Sequence, residues 1–481
     1  MNLDFNAIKK VYVIGIKGSG IIGIVEILHS RGIEIIGSDT DEKFFTNEIL
    51  DRLGIPYFEK FDPKNIPADV DLIIYSTAYN ENNNTEFRSA KEKNMPMVSY
   101  PEILAGLFNA KYGIAVAGTH GKTTTSAMLA SAIKNCGKDP IAAVGGKVKE
   151  WDGNSLAGNG EMFILEADEY QNKLNLYEPK AVVLTSCDFD HPDFFKDFEE
   201  YKRTFKEFVA KIPKAGFLVV WGDSVDTLEV SNEAKSKILT YGFNEENDVT
   251  IEIIETKIQE EIAEKLNIKK EKLQTFEVFH GKQSLGKFET PLLGRHNILN
   301  STAVITACYI LNLNLEKVGE AIRNFKGTSR RFEYIGEYKG AILIDDYGHH
   351  PEEIKPTLRA AREAYPEKII WAVFHPHTFT RTKALLSEFA QSFGDADKVI
   401  VLDIYGSARE VQGGVHSQEL VDMINKYDFN KAKHLPGIKD AVKFLRGELN
   451  KNDLVIAIGA GNVWEVVEKL SAKGAISSGR Q

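Results

Sequence analysis

Residues 112–126 read YGIAVAGTHGKTTTS, and this stretch decides the fold. The apolar run Ile114-Ala115-Val116-Ala117 has the length and composition of a buried parallel strand. Gly118-Thr119-His120-Gly121 then turns the chain, and Lys122 opens a helix through Ala127, Met128, Leu129 and Ala130. A strand, a glycine-containing loop and a helix in that order form a phosphate cradle. The glycines admit close approach of an anion, and the helix N-terminus aims unpaired N–H groups at it. Lys122 supplies a point charge, and the Thr123 hydroxyl can reach Mg²⁺. The loop is shorter than the general G-x-x-x-x-G-K-[ST] pattern, because Val116 stands where its first glycine would be. A nucleoside triphosphate is the expected ligand, with Gly118, Thr119, His120, Gly121, Lys122, Thr123 and Thr124 around its phosphates.

Working outward, the chain of 481 residues is 43% hydrophobic and 27% charged, enough for two to four domains with proper cores. No apolar run approaches the roughly 18 residues of a membrane span, and MNLDFNAIKK lacks the apolar core of a signal peptide. A soluble, cytoplasmic protein without a membrane partner is expected. The net charge of −10 argues against general nucleic-acid binding, which selects basic faces. Cys136, Cys187 and Cys308 are far apart and suggest neither a disulfide framework nor structural zinc.

N-terminal to the loop, a strand at 11–16 leads into Gly15-Ile-Lys-Gly18-Ser-Gly20-Ile-Ile-Gly23, a helix to about Arg31, and a strand ending in Gly37-Ser38-Asp39. Gly18-x-Gly20-x-x-Gly23 fits a dinucleotide fingerprint, with Asp39 near the place of a ribose-binding acid. A diphosphate can rest there; NAD and other nucleotide diphosphates both remain open. A strand at 70–75 ending in Ser76-Thr77, a helix at 84–94 and a strand near Met97 complete a first, Rossmann-like domain at 1–108.

C-terminal to the loop, one apolar strand runs into Glu166-Ala-Asp168-Glu169 and another into Cys187-Asp188-Phe-Asp190-His191. Both clusters fall past strand C-termini, where open α/β sheets collect ligands, so Glu166 and His191 are candidate metal ligands beside the triphosphate. Residues 256–273, dense in charge of both signs, read as a solvated helix or excursion. Gly294-Arg295-His296-Asn297-Ile-Leu-Asn300 heads a helix with Asn297 and Asn300 on one face. A linker at Gly327-Thr-Ser-Arg330-Arg331 separates a P-loop ATPase-like domain at 109–327 from a third, Rossmann-like domain at 328–481. There, strand ends carry Asp346-Tyr347-Gly348-His349-His350-Pro351 and His375-Pro376-His377-Thr378-Phe379-Thr380-Arg381. Without a completing Cys or carboxylate, these histidines read as a substrate-facing edge rather than a zinc site. The tail SSGRQ reads as disordered.

Taken together, the phosphate loop, the two acidic strand ends, G-R-H-N-x-x-N, S-R-R-F-E and I-D-D-Y-G-H-H-P resemble the Mur ligases over nearly the whole chain. The resemblance implies a three-domain ATP- and Mg²⁺-dependent amide ligase, a monomer or homodimer. It would join an amino acid, L-alanine foremost, to UDP-N-acetylmuramate through an acyl phosphate. By motif, the UDP-sugar would lie at Gly15, Gly18, Ser19, Gly20, Ser38, Asp39, Ser76 and Thr77. Thr123, Glu166 and His191 would hold metal, and Asn297 and Asn300 would meet adenine. Arg331 would meet phosphate and Asp346 the ribose, while Lys122, His349 and Arg381 would carry the chemistry.

Three positions depart from the pattern. Phe205 stands where several relatives carry a carbamylated lysine, Thr378 replaces an arginine that the alanine-adding branch places near the amino-acid carboxylate, and Tyr170-Gln-Asn follows E-A-D-E. The last two keep open a recycling ligase that takes a murein tripeptide, or a related ligase with another acceptor or UDP-sugar. An NAD-dependent oxidoreductase would leave the Lys122 loop and both acidic strand ends unused.

Overall fold

The computed structural model describes residues 7–44, 46–258, 272–406 and 412–471 in three sheets. The first has strand order β3-β2-β1-β4-β5, from β1 (Lys10–Ile14), β2 (Glu34–Ser38), β3 (Tyr57–Phe58), β4 (Leu72–Tyr75) and β5 (Met97–Ser99). All its pairings are parallel, as the alternation of strands and helices required. Its glycine cluster opens the helix Ser19–Ser30 at the sheet's C-terminal edge. At Gly15, whose φ is +84°, a Cβ would lie 2.7 Å from the Tyr79 ring and 2.9 Å from Ser76 Cβ.

The helix Tyr100–Asn109 leads into β6 (Tyr112–Ala117), the centre of a ten-stranded sheet. Its other strands are β7 (Ile141–Val148), β8 (Gly153–Ala157), β9 (Met162–Glu166), β10 (Ala181–Leu184), β11 (Phe217–Trp221), β12 (Lys237–Gly242), β13 (Val249–Ile258), β14 (Lys272–His280) and β15 (Gln283–Thr290). The order is β15-β14-β13-β12-β11-β10-β6-β9-β7-β8. From β7 through β13 the pairing is parallel, and β8, β14 and β15 add antiparallel edges. The ends of the charge-dense stretch belong to this extension, where Ile258 pairs with Lys272; residues 259–271 lie outside the described residues, as does the tail 472–481.

β6, β9 and β10 are adjacent, so the phosphate loop and both acidic segments emerge from neighbouring strands on one edge. Apolar side chains cover both faces of β6, with Ala115 and Ala117 in one core and Ile114 and Val116 in another. That two-sided burial is what the continuous apolar run required.

The third sheet has the order β16-β17-β21-β18-β19-β20, from β16 (Glu333–Tyr338), β17 (Ala341–Asp346), β18 (Ile369–Phe374), β19 (Lys398–Val401), β20 (Ala432–His434) and β21 (Asp453–Ile458). It is parallel except for the antiparallel edge strand β16. Among the described residues, no helix is long and apolar enough to cross a membrane.

Candidate active site

The phosphate loop is built as its residue types demand. Gly118 has φ +131°, and a Cβ there would lie 2.5 Å from Thr185 Oγ1 and 2.7 Å from Ser186 N; Gly121 has φ +78°, and a Cβ there would lie 2.6 Å from Asn300 Oδ1. Gly121 caps the helix Lys122–Asn135, whose first N–H groups therefore face the loop. Ser186 Oγ accepts a hydrogen bond from His120 N at 2.8 Å, and Thr119 Oγ1 donates to Asp188 O at 2.8 Å. The segment after β10 thus anchors the loop.

Lys122 Nζ hydrogen-bonds the carbonyls of Gly118 and Thr119 and pairs with Glu169 Oε2 at 3.0 Å. Burial opposes its charge, but Glu169, with Asp168 and Glu166, outweighs burial and raises its pKa. Glu169 is 1% exposed and also accepts from Tyr201 Oη at 3.0 Å. Thr123 Oγ1 donates to Glu166 Oε1 at 2.7 Å, while Glu166 Oε2 takes Gly145 N. Thr124 is buried in the helix's first turn.

Of the two expected metal ligands, His191 lies in a cluster of possible ligands and Glu166 is hydrogen-bonded to its neighbours. Among the described residues, the side chains close enough to share one ion are Asp168, Glu169 and His191, with one ligand atom each within 4.8 Å of the others. Glu166, at the last position of β9, is occupied by Thr123 and Gly145, whereas Asp168 and Glu169 lie in the turn that follows and reach His191. Two carboxylates and an imidazole can take a divalent cation, and the oxygen donors suit Mg²⁺. Phe205 is fully buried, with its ring 5.2 Å from Tyr201.

Across the loop stands the C-terminal domain. His120 Nδ1 lies 3.3 Å from Glu353 Oε1, and its ring packs 4.9 Å from that of His350. Glu353 also faces Arg331 Nη1 at 3.5 Å and accepts from His349 N at 2.9 Å. The neighbouring His349, His120 and Arg331 hold the Glu353 carboxyl well below its ordinary range against the opposing effect of burial. Burial opposes the charge on Arg331, yet Glu353 and Asp346 raise its pKa. Asp346 accepts from Phe332 N and Gly348 N, both at 2.8 Å, so the ribose expectation falls on a carboxylate already tied to the loop around it.

His349 Nδ1 lies 3.1 Å from Tyr347 O, and burial lowers its pKa to about 3. The ring is neutral, with Nδ1–H donated to the carbonyl and Nε2 left as acceptor. Arg381, 4% exposed, pairs with Asp190 Oδ1 at 2.9 Å across the domain boundary. Thr378 caps the short helix Phe379–Ala384 by accepting from Arg381 N at φ +66°, a strained conformation for a β-branched residue. Asn297 and Asn300 are buried and linked, Asn300 Nδ2 to Asn297 Oδ1 at 3.1 Å, and Asn300 faces Gly121.

In the first domain, Gly18 caps the helix Ser19–Ser30, while Ser19 and Gly20 are exposed beside it and Ser76 and Thr77 are half-buried. Ser38 is fully buried, and its hydroxyl donates to Glu86. Asp39 accepts from Lys17 N at 2.7 Å and Thr40 N at 2.8 Å, which makes it a closure of its own loop. Glu169, Asp190 and Glu353 were missing from the expected site. The first two lie inside the acidic clusters already singled out, and Glu353 follows the H-H-P segment.

Three family models match the chain in order: "Mur ligase family, catalytic domain" over 10–112, "Mur ligase middle domain" over 116–308 and "Mur ligase, glutamate ligase domain" over 330–461. The UDP-N-acetylmuramate–L-alanine ligase of Desulfitobacterium hafniense is 39% identical over 96% of this chain and 99% of its own length. That of Caldanaerobacter subterraneus is 38% identical over 98% of each chain. The fold is shared with the UDP-N-acetylmuramate-alanine ligase of Thermotoga maritima, at TM-score 0.80 and 24% identity over 98% of this chain and 99% of that one. A murein peptide ligase of Psychrobacter arcticus follows at TM-score 0.72 and 21% identity over 96% and 98%. With full-length relatives well above 30% identity and domain matches along its whole course, the chain belongs to the Mur ligase family.

Proposed function

We propose that this ligase uses ATP and Mg²⁺ to join L-alanine to the lactyl carboxylate of UDP-N-acetylmuramate. The observation that supports it best is that Lys122 on the loop and Arg331 of the next domain stand on either side, with Glu353 facing both Arg331 and His120 of the loop, because a phosphoryl-transfer site needs cations on both sides. The substrates come from the names of the full-length relatives.

In the reaction proposed, a carboxylate oxygen attacks the γ-phosphorus of ATP and ADP leaves, giving an acyl phosphate. The amine of L-alanine then attacks the acyl carbon, inorganic phosphate leaves and an amide remains. Lys122, drawn from Glu169, neutralises phosphate charge, with Thr119 and the loop amides orienting it. Thr123, Glu166, Asp168, Glu169 and His191 are the residues that would hold Mg²⁺, which when bound offsets charge between the two anions. Arg331 approaches from the opposite side. His349, neutral down to about pH 3, accepts a hydrogen bond at Nε2 and orients the amine rather than removing its proton. Asn297 and Asn300 would meet the adenine, and Gly15, Gly18, Ser19 and Gly20 the UDP diphosphate at the helix N-terminus.

Thr378 leaves the amino-acid carboxylate without the arginine that the resemblance led us to expect. Phosphate release from ATP, Mg²⁺ and UDP-N-acetylmuramate, with L-alanine, L-serine, glycine and the murein tripeptide in parallel, is the test. Release with L-alanine alone is expected; release only with the tripeptide transfers the assignment to recycling, and silence in every arm rejects the sugar nucleotide.

A further inference from the structure

Lys173 sits between the two anion sites. Its ammonium bonds Asp168 Oδ2 and lies 5.8 Å from the Tyr100 ring centroid and 5.6 Å from that of Tyr170. Tyr100 is the first residue of its helix and packs on the glycine cluster, where a Cβ on Gly20 would lie 3.0 Å from its ring. Asp168 shares its group with Glu169, the partner of Lys122. A path of direct neighbours therefore runs from Gly20 through Tyr100, Lys173, Asp168 and Glu169 to Lys122.

The backbone is bent to make this placement. Lys173 stands in the 3-10 segment Tyr170–Leu176, and Asp168 lies just before it. Between them, Gln171 (φ 58°, ψ 31°) and Asn172 (φ 55°, ψ 29°) are both left-handed. Two successive non-glycine residues in that region are an uncommon arrangement, of the kind that persists where a site uses it. The Lys173 side chain is 11% exposed, close enough to solvent to be reached.

We infer that Lys173 is a substrate-positioning residue that receives the lactyl carboxylate of the sugar nucleotide and aims it at the phosphate held by Lys122. The inference rests on the function proposed above: a UDP-sugar seated on the glycine cluster must extend its carboxylate past Tyr100 to reach Lys122. Asp168 holds the ammonium in place until that carboxylate arrives.

The test is calorimetric binding to the full chain of UDP-N-acetylmuramate and of UDP-N-acetylglucosamine, the same sugar nucleotide without the lactyl group. Wild type, Lys173→Met and Lys173→Arg are compared. A charged hydrogen bond corresponds to about a ten- to hundredfold change in affinity. Lys173→Met is expected to lose that factor for UDP-N-acetylmuramate and nothing for UDP-N-acetylglucosamine, with Lys173→Arg restoring part of the difference. Equal loss for both sugars, the signature of a structural ion pair or of misfolding, overturns the inference, as does no loss for either. Wild type that binds neither sugar overturns the proposed function with it, whereas wild type that binds both alike overturns the role of the carboxylate alone.

Discussion

Arg381 of the C-terminal domain and Asp190 of the central domain form an ion pair, Nε to Oδ1 at 2.9 Å, with their side chains 5% and 6% exposed. Arg381 had been expected to face the acyl end of the reaction; its guanidinium also spans the domain boundary. Asp190 emerges after β10 beside the phosphate loop, and Arg381 follows β18, so the pair fixes how the two strand edges face each other. Removing one member leaves a buried charge, which costs about 3–5 kcal/mol. Asp190→Ala is therefore expected to lower the first thermal transition and to loosen the neighbouring contact across the boundary, where His350 Nε2 lies 3.2 Å from Phe189 O. In a double-mutant cycle with Arg381→Met, the second substitution should cost much less than it does alone. Additive losses would show that the pair does not couple the domains.

A similar tie joins the first two domains. Asn154 is fully buried and its Nδ2 donates to Ser19 O at 2.9 Å and Val144 O at 3.1 Å, linking β8 to the head of the glycine-cluster helix. Asn154→Ala leaves two carbonyls short of a donor, at a cost of about 1–3 kcal/mol. The expected outcome is a raised KM for the sugar nucleotide with the KM for ATP unchanged, since Ser19 heads the helix on which the sugar nucleotide is proposed to rest and is not part of the phosphate loop. Equal changes in both would count against separate sites.

These two ties explain what was legible beforehand. The Lys122 loop could be read from fifteen residues because its strand, glycines and lysine act through their own backbone. The order of parallel strands around it followed from the alternation of elements. Partners chosen by the fold were not legible. Ser38 is claimed by Glu86, forty-eight positions away, and no local pattern distinguishes a serine that turns inward from one that meets a ligand. In E-A-D-E, Glu166 and Glu169 both follow one apolar strand; the turn after β9, not the composition, gives one to Thr123 and the other to Lys122. The strands β11 and β12 and the antiparallel edges β8, β16 and the β14–β15 pair passed unread or without their pairing, because edge position depends on neighbours far along the chain.

Histidine burial sets an acid limit on stability. Burial lowers His349 to about 3, His375 to about 4 and His296 to about 4, from an ordinary value near 6.5. Between those values the unfolded chain binds protons that the folded chain does not, so stability falls as pH drops below about 6.5 and is unaffected by these groups above it. Each contributes up to about 1.4 kcal/mol per pH unit within its window. Denaturant midpoints from pH 7.5 to 5 should decline, and His375→Asn should flatten the slope while the midpoint at pH 7.5 moves less. An unchanged slope would mean that the ring is not held neutral by burial.

The phosphate loop itself gives the sharpest separation of sites. Lys122→Ala removes the cation that faces both loop carbonyls and Glu169, and leaves Glu169 buried beside Tyr201 without its partner. Phosphate release is expected to fall about a hundred- to a thousandfold, of the order seen when a preorganised group is taken from a transition state. UDP-sugar affinity should stay within about twofold, because the glycine cluster lies on a different sheet. Gly121→Ala should behave alike by another route, since its Cβ would press on Asn300 Oδ1 at a positive φ and displace the first helical turn. Loss of sugar binding in both variants would mean that one site, not two, serves both nucleotides; retention of phosphate release in Lys122→Ala would remove the loop from the chemistry altogether.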